Sequence, residues 1–167
     1  MLFAKIKQHY EAVVAVCCFL ILFTNVGLPS TSFSVYQPYL VDLPGVGHSG
    51  GSIIVSVRTF VSLLAMLVVG RYYDLVDCRI GAFLATLSVS AGFALYSLAG
   101  SNFGMLCGAS ALTGLGYGFG GMIASTMLIN RWFRVNVATV AGVAAVGSGV
   151  AAIVIPNAAG ALISAFD

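Results

Sequence analysis

The sequence is 167 residues long, with 60% hydrophobic residues, only 7% charged residues and a formal charge of +2. Soluble globular domains carry about 25% charged residues, so this chain lacks the side chains needed to cover a water-facing surface. The composition excludes an ordinary soluble domain and indicates an all-α protein, a polytopic bundle of membrane helices.

Long apolar runs divide the chain into five predicted membrane spans. An α-helix needs about 20 apolar residues to cross a bilayer core of roughly 30 Å, and each run is about that long. Gly27 and Pro29 are expected to loosen the first span, and Pro156 is expected to kink the last. We predict spans 1 to 5 over residues 12–37, 50–70, 80–100, 103–129 and 136–164.

Basic residues occur in alternate connections. The segment before span 1 and the connections between spans 2 and 3 and between spans 4 and 5 contain six of the seven Lys and Arg residues, whereas the other two connections contain none. Connections rich in Lys and Arg face the cytoplasm. We therefore expect a multi-pass protein of the cell membrane with a cytoplasmic N-terminus.

Arg58 is the only charged residue within the five predicted spans. An arginine at the centre of a membrane helix costs roughly 2.5–3.5 kcal/mol on insertion scales, so its position needs a reason. It could extend to the outer headgroups or bond to a neighbouring helix. It could instead face a water-filled cavity, where its planar guanidinium would attract a carboxylate or a phosphate.

Small residues recur at intervals of four in spans 4 and 5, which predicts closely packed helices. The glycines to which we assign this packing are Gly108, Gly114, Gly118 and Gly149. No serine, cysteine or histidine constellation typical of catalysis or of metal binding occurs in the sequence. We therefore expect no enzyme activity, no cofactor, no metal ion and no nucleic-acid partner.

The connection GRYYDLVDCR, residues 70–79, resembles the motif G-x-L-A-D-R-x-G-R-R of the major facilitator superfamily. Gly70, Asp74 and Arg79 match this motif at the expected place between spans 2 and 3. Gly114 and Gly116 match the glycines of the family's span 4 motif, R-x-x-Q-G-x-G. The residues that depart from the two motifs include Tyr72, Leu75, Asp77, Cys78, Ser110 and Thr113.

The resemblance implies the N-terminal portion of a secondary transporter. Such a transporter has two halves of six helices each, so residues 1–167 would supply five helices of the first half, without helix 6 and the C-terminal half. The segment NRWF, residues 130–133, is similar to the oxalate/formate antiporter and monocarboxylate porter branch. That branch would move a small organic anion, such as a monocarboxylate, by alternating access.

The resemblance also assigns roles to residues. Spans 1 and 4 line the transport cavity in the family, so Asn25, Ser32, Tyr36 and Tyr117 join Arg58 as expected substrate-binding residues. Gly70, Asp74 and Arg79 would form a latch that holds one conformation. The alternative for these three residues is a solvated turn that merely follows the charge rule.

A second hypothesis is a five-span membrane protein without transport activity of its own. It would be a truncated gene product or an assembly partner. The expected partners under the leading hypothesis are a small solute, the lipid bilayer and the missing C-terminal half of the transporter.

Overall fold

The structure, a computed structural model, describes residues 13–41, 47–100, 102–133 and 136–166. The side chains of residues 36, 38–40, 48 and 162–166 lie outside this description. The chain is all-α across the described ranges, which contain no β-strand. Five helical segments are long and apolar enough to cross a membrane. They coincide with the five predicted spans, so the predicted fold class is confirmed.

Seven α-helices and one π-helical turn form these segments. Span 1 consists of α1, the π turn and α2, span 4 consists of α5 and α6, and each other span is a single helix. The bounds are residues 13–22 for α1, Phe23–Gly27 for the π turn, Leu28–Val41 for α2, Gly47–Leu75 for α3, Cys78–Ala99 for α4, Phe103–Gly120 for α5, Met122–Trp132 for α6 and Val137–Phe166 for α7.

The π turn in span 1 lies where the sequence carries Gly27 and Pro29. Proline has no N–H, and its ring crowds the carbonyl four residues earlier, here that of Asn25. A π turn with wider hydrogen-bond spacing accommodates such a local disturbance within a helix. The Thr31 hydroxyl donates to the carbonyl of Gly27 at 2.7 Å, which satisfies one acceptor at the end of the turn.

Span 4 is interrupted, which differs from the continuous span predicted over residues 103–129. Gly121 has extended backbone angles, φ −79° and ψ −162°, so α5 ends before it and α6 begins after it. The Tyr73 hydroxyl of α3 donates to the carbonyl of Phe119 at 2.8 Å. A donor from a neighbouring helix thus satisfies an acceptor beside the interruption.

The connection between spans 2 and 3 is shorter than the sequence indicated. α3 continues to Leu75, and α4 begins at Cys78, so only two residues lie between the helices. Most of the segment assigned to a loop is therefore helical. The last helix, α7, continues through Pro156.

Two of the predicted packing glycines lie where backbones meet. A Cβ added to Gly114 would lie 2.6 Å from the carbonyl oxygen of Arg58, and one added to Gly118 would lie 2.9 Å from that of Ser62. Both neighbours belong to α3. These glycines allow α5 to contact α3 directly.

The other two predicted packing glycines lie in more open surroundings. A Cβ on Gly108 would meet only the side chain of Leu95, at 3.8 Å, and one on Gly149 would meet nothing within 4 Å among the described residues. Gly147 makes the close approach in span 5, against the backbone of Phe19. Span 5 therefore packs on span 1.

Candidate functional site

Arg58 lies in the first half of α3 and bonds to the start of α2. Its Nη1 donates to the carbonyl of Pro29 at 3.0 Å, and its Nη2 lies 3.4 Å from the hydroxyl oxygen of Ser30. Both partners follow the π turn, which therefore sets the depth at which span 1 contacts the guanidinium. The side chain is half-buried between spans 1 and 2.

Aromatic rings from two other elements lie beside the same guanidinium. Its Cζ is 5.8 Å from the ring centroid of Phe33 and 5.5 Å from that of Tyr117. Distances within about 6 Å permit cation–π attraction. Tyr117 comes this near because Gly114, one turn earlier on α5, allows the helix to contact the backbone of Arg58.

No carboxylate neutralises Arg58 within the part of the chain that the structure describes. The acidic residues in that part are Asp74 and Asp77. Asp74 lies sixteen residues further along the same helix, which corresponds to about 24 Å at 1.5 Å per residue. Charged residues inside membrane proteins usually pair with one another or with backbone carbonyls. Arg58 has a carbonyl partner and keeps a net positive charge.

The guanidinium has five N–H donors, of which two are directed at span 1. The remaining donors can bind a planar anion such as a carboxylate. Phe33 and Tyr117 would contact the apolar part of that anion. These donors and rings make the surroundings of Arg58 a candidate for binding a small anion.

The structure brings one further predicted substrate residue, Tyr117, to the arginine. Ser32 is buried, but no contact between it and Arg58 is among those described. Asn25 is fully buried and donates from Nδ2 to the Thr86 hydroxyl at 3.1 Å, so it joins span 1 to span 3. The side chain of Tyr36 lies outside the described residues.

Several residues beside Arg58 were missed from the sequence. Ser30 and Phe33 belong to the polar run of span 1, but the run alone does not reveal which of its residues face span 2. Tyr96 of α4 and Ser110 of α5 were also missed, and their hydroxyl oxygens lie 2.6 Å apart. The sequence does not distinguish this pair from the other polar residues of spans 3 and 4.

Of the three predicted latch residues, Gly70 and Asp74 lie one turn apart on α3, and no ion pair between Asp74 and Arg79 occurs among the described residues. An oxygen of Asp74 lies 3.9 Å from Nη2 of Arg131, at the end of α6, rather than near Arg79. Both paired side chains are more than half exposed, and such pairs contribute about 0–1 kcal/mol to stability. Gly70 has no neighbour within 4 Å of an added Cβ, and Arg79 is exposed. Asp74 therefore pairs the end of span 2 with the end of span 4.

Comparisons of the chain with protein-family models, with curated proteins and with solved structures returned no match. Function is therefore inferred from the residues and from the geometry around Arg58.

Proposed function

We propose that the chain is part of a secondary active transporter of the major facilitator type, which moves a small organic anion by alternating access. The observation that carries the proposal is Arg58, a cation within span 2 that lacks a carboxylate partner among the described residues. Binding an anion would neutralise a charge that is costly in the membrane.

The surroundings of Arg58 favour a small monocarboxylate. A guanidinium binds a carboxylate through two parallel hydrogen bonds, which fixes the orientation of the anion. The rings of Phe33 and Tyr117 would face the anion's apolar end. A larger or more highly charged anion would need further basic residues near Arg58, and the other described arginines, Arg71, Arg79 and Arg131, lie at the ends of the spans.

Alternating access would require the helices that the superfamily resemblance adds, a sixth helix and a second half. The partners would be the solute, the lipid bilayer and that second half. The Asp74–Arg131 pair joins the ends of spans 2 and 4, so it would stabilise one of the two conformations. The protein would lie in the cell membrane with its N-terminus in the cytoplasm.

One observation favours the alternative of a five-span protein without transport activity. Arg58 bonds to the carbonyl of Pro29, so the side chain could serve only to join spans 1 and 2. Under this alternative Arg58 contributes to stability, and no anion binds to it.

Substitution of Arg58 separates the two functions. We expect Arg58→Gln to weaken the binding of radiolabelled formate or lactate to the purified protein by about 10- to 100-fold, because a charge-assisted hydrogen bond contributes about 1.5–3 kcal/mol. Arg58→Lys should retain part of the affinity. Lysine keeps the positive charge but lacks the planar pair of N–H donors that binds both carboxylate oxygens. In a protein that includes the sixth helix and the second half, uptake into proteoliposomes should fall in the same order.

Arg71→Gln is the matched control, because this arginine is exposed, lies on the same helix as Arg58 and has no assigned role in the anion site. It should bind and transport as the unsubstituted protein does. A wild-type protein that binds no carboxylate, with an Arg58→Gln variant that is only less stable, would support the alternative and contradict the anion site.

A further inference from the structure

Two buried oxygen atoms lack a hydrogen-bond partner within the described residues. They are Oδ1 of Asn25 and Oγ of Ser125, and the two residues are 0% and 2% exposed. A buried polar atom without a partner costs about 1–3 kcal/mol, so each one calls for an explanation. All other buried side-chain oxygen and nitrogen atoms in the described ranges have a partner.

Both oxygens belong to residues beside the interruption of span 4. A Cβ added to Gly120, the last residue of α5, would lie 2.6 Å from Cγ of Asn25. Ser125 lies one turn after Gly121, whose carbonyl accepts from its N–H at 3.1 Å. Leu22, three residues before Asn25, packs in one cluster with Ile129, four residues after Ser125. Span 1 therefore faces α6 at this depth.

The orientation of the Asn25 amide follows from its hydrogen bonds. Its Nδ2 donates to the carbonyl of Ile21 at 3.2 Å and to the Thr86 hydroxyl at 3.1 Å. Reversing the amide would place two oxygen atoms next to each other at Ile21. Oδ1 is therefore the free atom, and it can only accept.

The end of α5 adds further acceptors to this place. The last turn of an α-helix has carbonyl groups without intrahelical donors, and it carries a partial negative charge of about half an electron. Oδ1 of Asn25, the hydroxyl oxygen of Ser125 and these carbonyls all belong to residues beside the interruption, and each of them can coordinate a cation. Tyr73 donates to one of the end carbonyls, that of Phe119.

The nature of the oxygen atoms indicates the kind of cation. Divalent calcium and magnesium are bound chiefly through carboxylates, and zinc through His and Cys. No group of three or more His, Cys, Asp or Glu residues that could hold a metal ion occurs in the described part of the chain. Neutral amide, hydroxyl and carbonyl oxygens suit a monovalent ion instead.

We propose that Asn25 Oδ1, Ser125 Oγ and carbonyl groups at the end of α5 bind a monovalent metal cation such as Na⁺ at the interruption of span 4. The proposal rests on atoms other than those around Arg58 and does not depend on the anion site. Interrupted helices bind ions in the same way in other membrane transporters, through unwound carbonyls and helix C-terminal ends.

The test is Na⁺ binding to the purified full-length protein. Radioactive Na⁺ is measured by equilibrium dialysis, and the melting temperature is measured in NaCl and in choline chloride of equal ionic strength. We expect saturable binding and a rise in Tm of about 3–6 °C at a tenfold excess of Na⁺ over Kd. Ser125→Ala should weaken Na⁺ binding by tenfold or more and abolish the rise in Tm.

Ser125→Ala removes a hydroxyl without a partner, so in choline chloride the variant should be as stable as the unsubstituted protein or more stable. Ser62→Ala is the matched control, because this buried hydroxyl already donates to the carbonyl of Thr59 at 2.8 Å. The control should keep full Na⁺ binding. Equal Na⁺ binding in Ser125→Ala and in the unsubstituted protein, or no difference between NaCl and choline chloride, overturns the proposal.

Discussion

Gly114 determines how closely α5 approaches the arginine of span 2. The neighbours that an added Cβ would meet are the carbonyl oxygen of Arg58, at 2.6 Å, and Cβ of Val61, at 3.3 Å. Both are fixed parts of α3, so neither can move aside as a flexible side-chain end could. A side chain at this position would push α5 outward and move Tyr117 away from the guanidinium.

Gly114→Ala is therefore expected to destabilise the protein by about 1–3 kcal/mol, the usual cost of overpacking. Gly108→Ala is the control in the same helix, because its Cβ would make an ordinary contact at 3.8 Å with Leu95. Alanine is the better helix former by up to about 1 kcal/mol, so this variant should be neutral or stabilised. The measurement is the melting temperature of both variants in detergent. Equal effects would contradict the close approach.

At the scale of elements, two consecutive tyrosines at the end of α3 join it to its neighbours. The Tyr73 hydroxyl donates to the Phe119 carbonyl at 2.8 Å, beside the interruption of span 4. The Tyr72 hydroxyl makes a longer bond of 3.3 Å to the carbonyl of Gly81 on α4, and its ring lies 4.4 Å from that of Phe119. Span 2 is thus connected to spans 3 and 4 at one end of the bundle.

Tyr73→Phe should cost about 1–3 kcal/mol of unfolding free energy. The ring remains, but the Phe119 carbonyl loses its donor in a place where Tyr73 is only 3% exposed. Tyr72→Phe is the matched comparison and should cost less, about 0.5 kcal/mol, because its bond is long and less buried. Chemical or thermal unfolding in detergent measures both. A larger loss in Tyr72→Phe would mean that the contact at the interruption is unimportant for stability.

The number and approximate bounds of the spans could be predicted from the sequence, because the bilayer sets a minimum apolar length. The interruption at Gly121 could not be predicted, since Gly114, Gly116 and Gly118 in the same run remain helical. Which glycine breaks the helix depends on neighbours such as Tyr73 and Asn25, which come from other spans. The end of α3 was missed for a related reason, since charged residues suggested a loop in a segment that stays helical.

The candidate site was predicted in part. Arg58 was predicted because a charged side chain within a membrane costs free energy, and Tyr117 was predicted from the resemblance. In the structure the ring of Tyr117 lies beside the guanidinium of Arg58. Ser30 and Phe33 could not be chosen from the polar residues of span 1, because the rotation of that span relative to span 2 follows from the π turn. Asn25 was predicted to bind the substrate, and in the structure it donates a hydrogen bond to Thr86, on span 3.

At the scale of the whole molecule, large apolar side chains are exposed on the outer surface, and several polar side chains are buried in the interior. Large side chains such as Phe60, Leu67, Phe83 and Leu98 are 64–75% exposed, whereas Asn25 and Ser110 are fully buried. Water would not stabilise such an exterior, but lipid would. This arrangement supports the assignment of the five helical segments to a membrane.

The orientation in that membrane can be tested with one cysteine at the start of α4 and another just beyond the end of α4. Cys78 begins α4, and Phe103 follows its end after a short connection. The 22 residues of α4 correspond to about 33 Å, enough to separate the two positions by a bilayer. The positive-inside rule predicts that Cys78 lies in the cytoplasm, because Arg71, Arg79 and Arg131 lie near it in the sequence or in the structure.

We expect a variant whose only cysteine is Cys78 to react with a membrane-impermeant maleimide in inverted vesicles and not in intact cells. A second variant, with Phe103→Cys as its only cysteine, should show the opposite pattern. Denatured samples of both variants control for intrinsic thiol reactivity. The reverse pattern would mean that the protein has the opposite orientation in the membrane, with the Asp74–Arg131 pair outside the cell. Labelling of both cysteines from one side would mean that α4 does not cross the membrane, which would contradict the five-span arrangement itself.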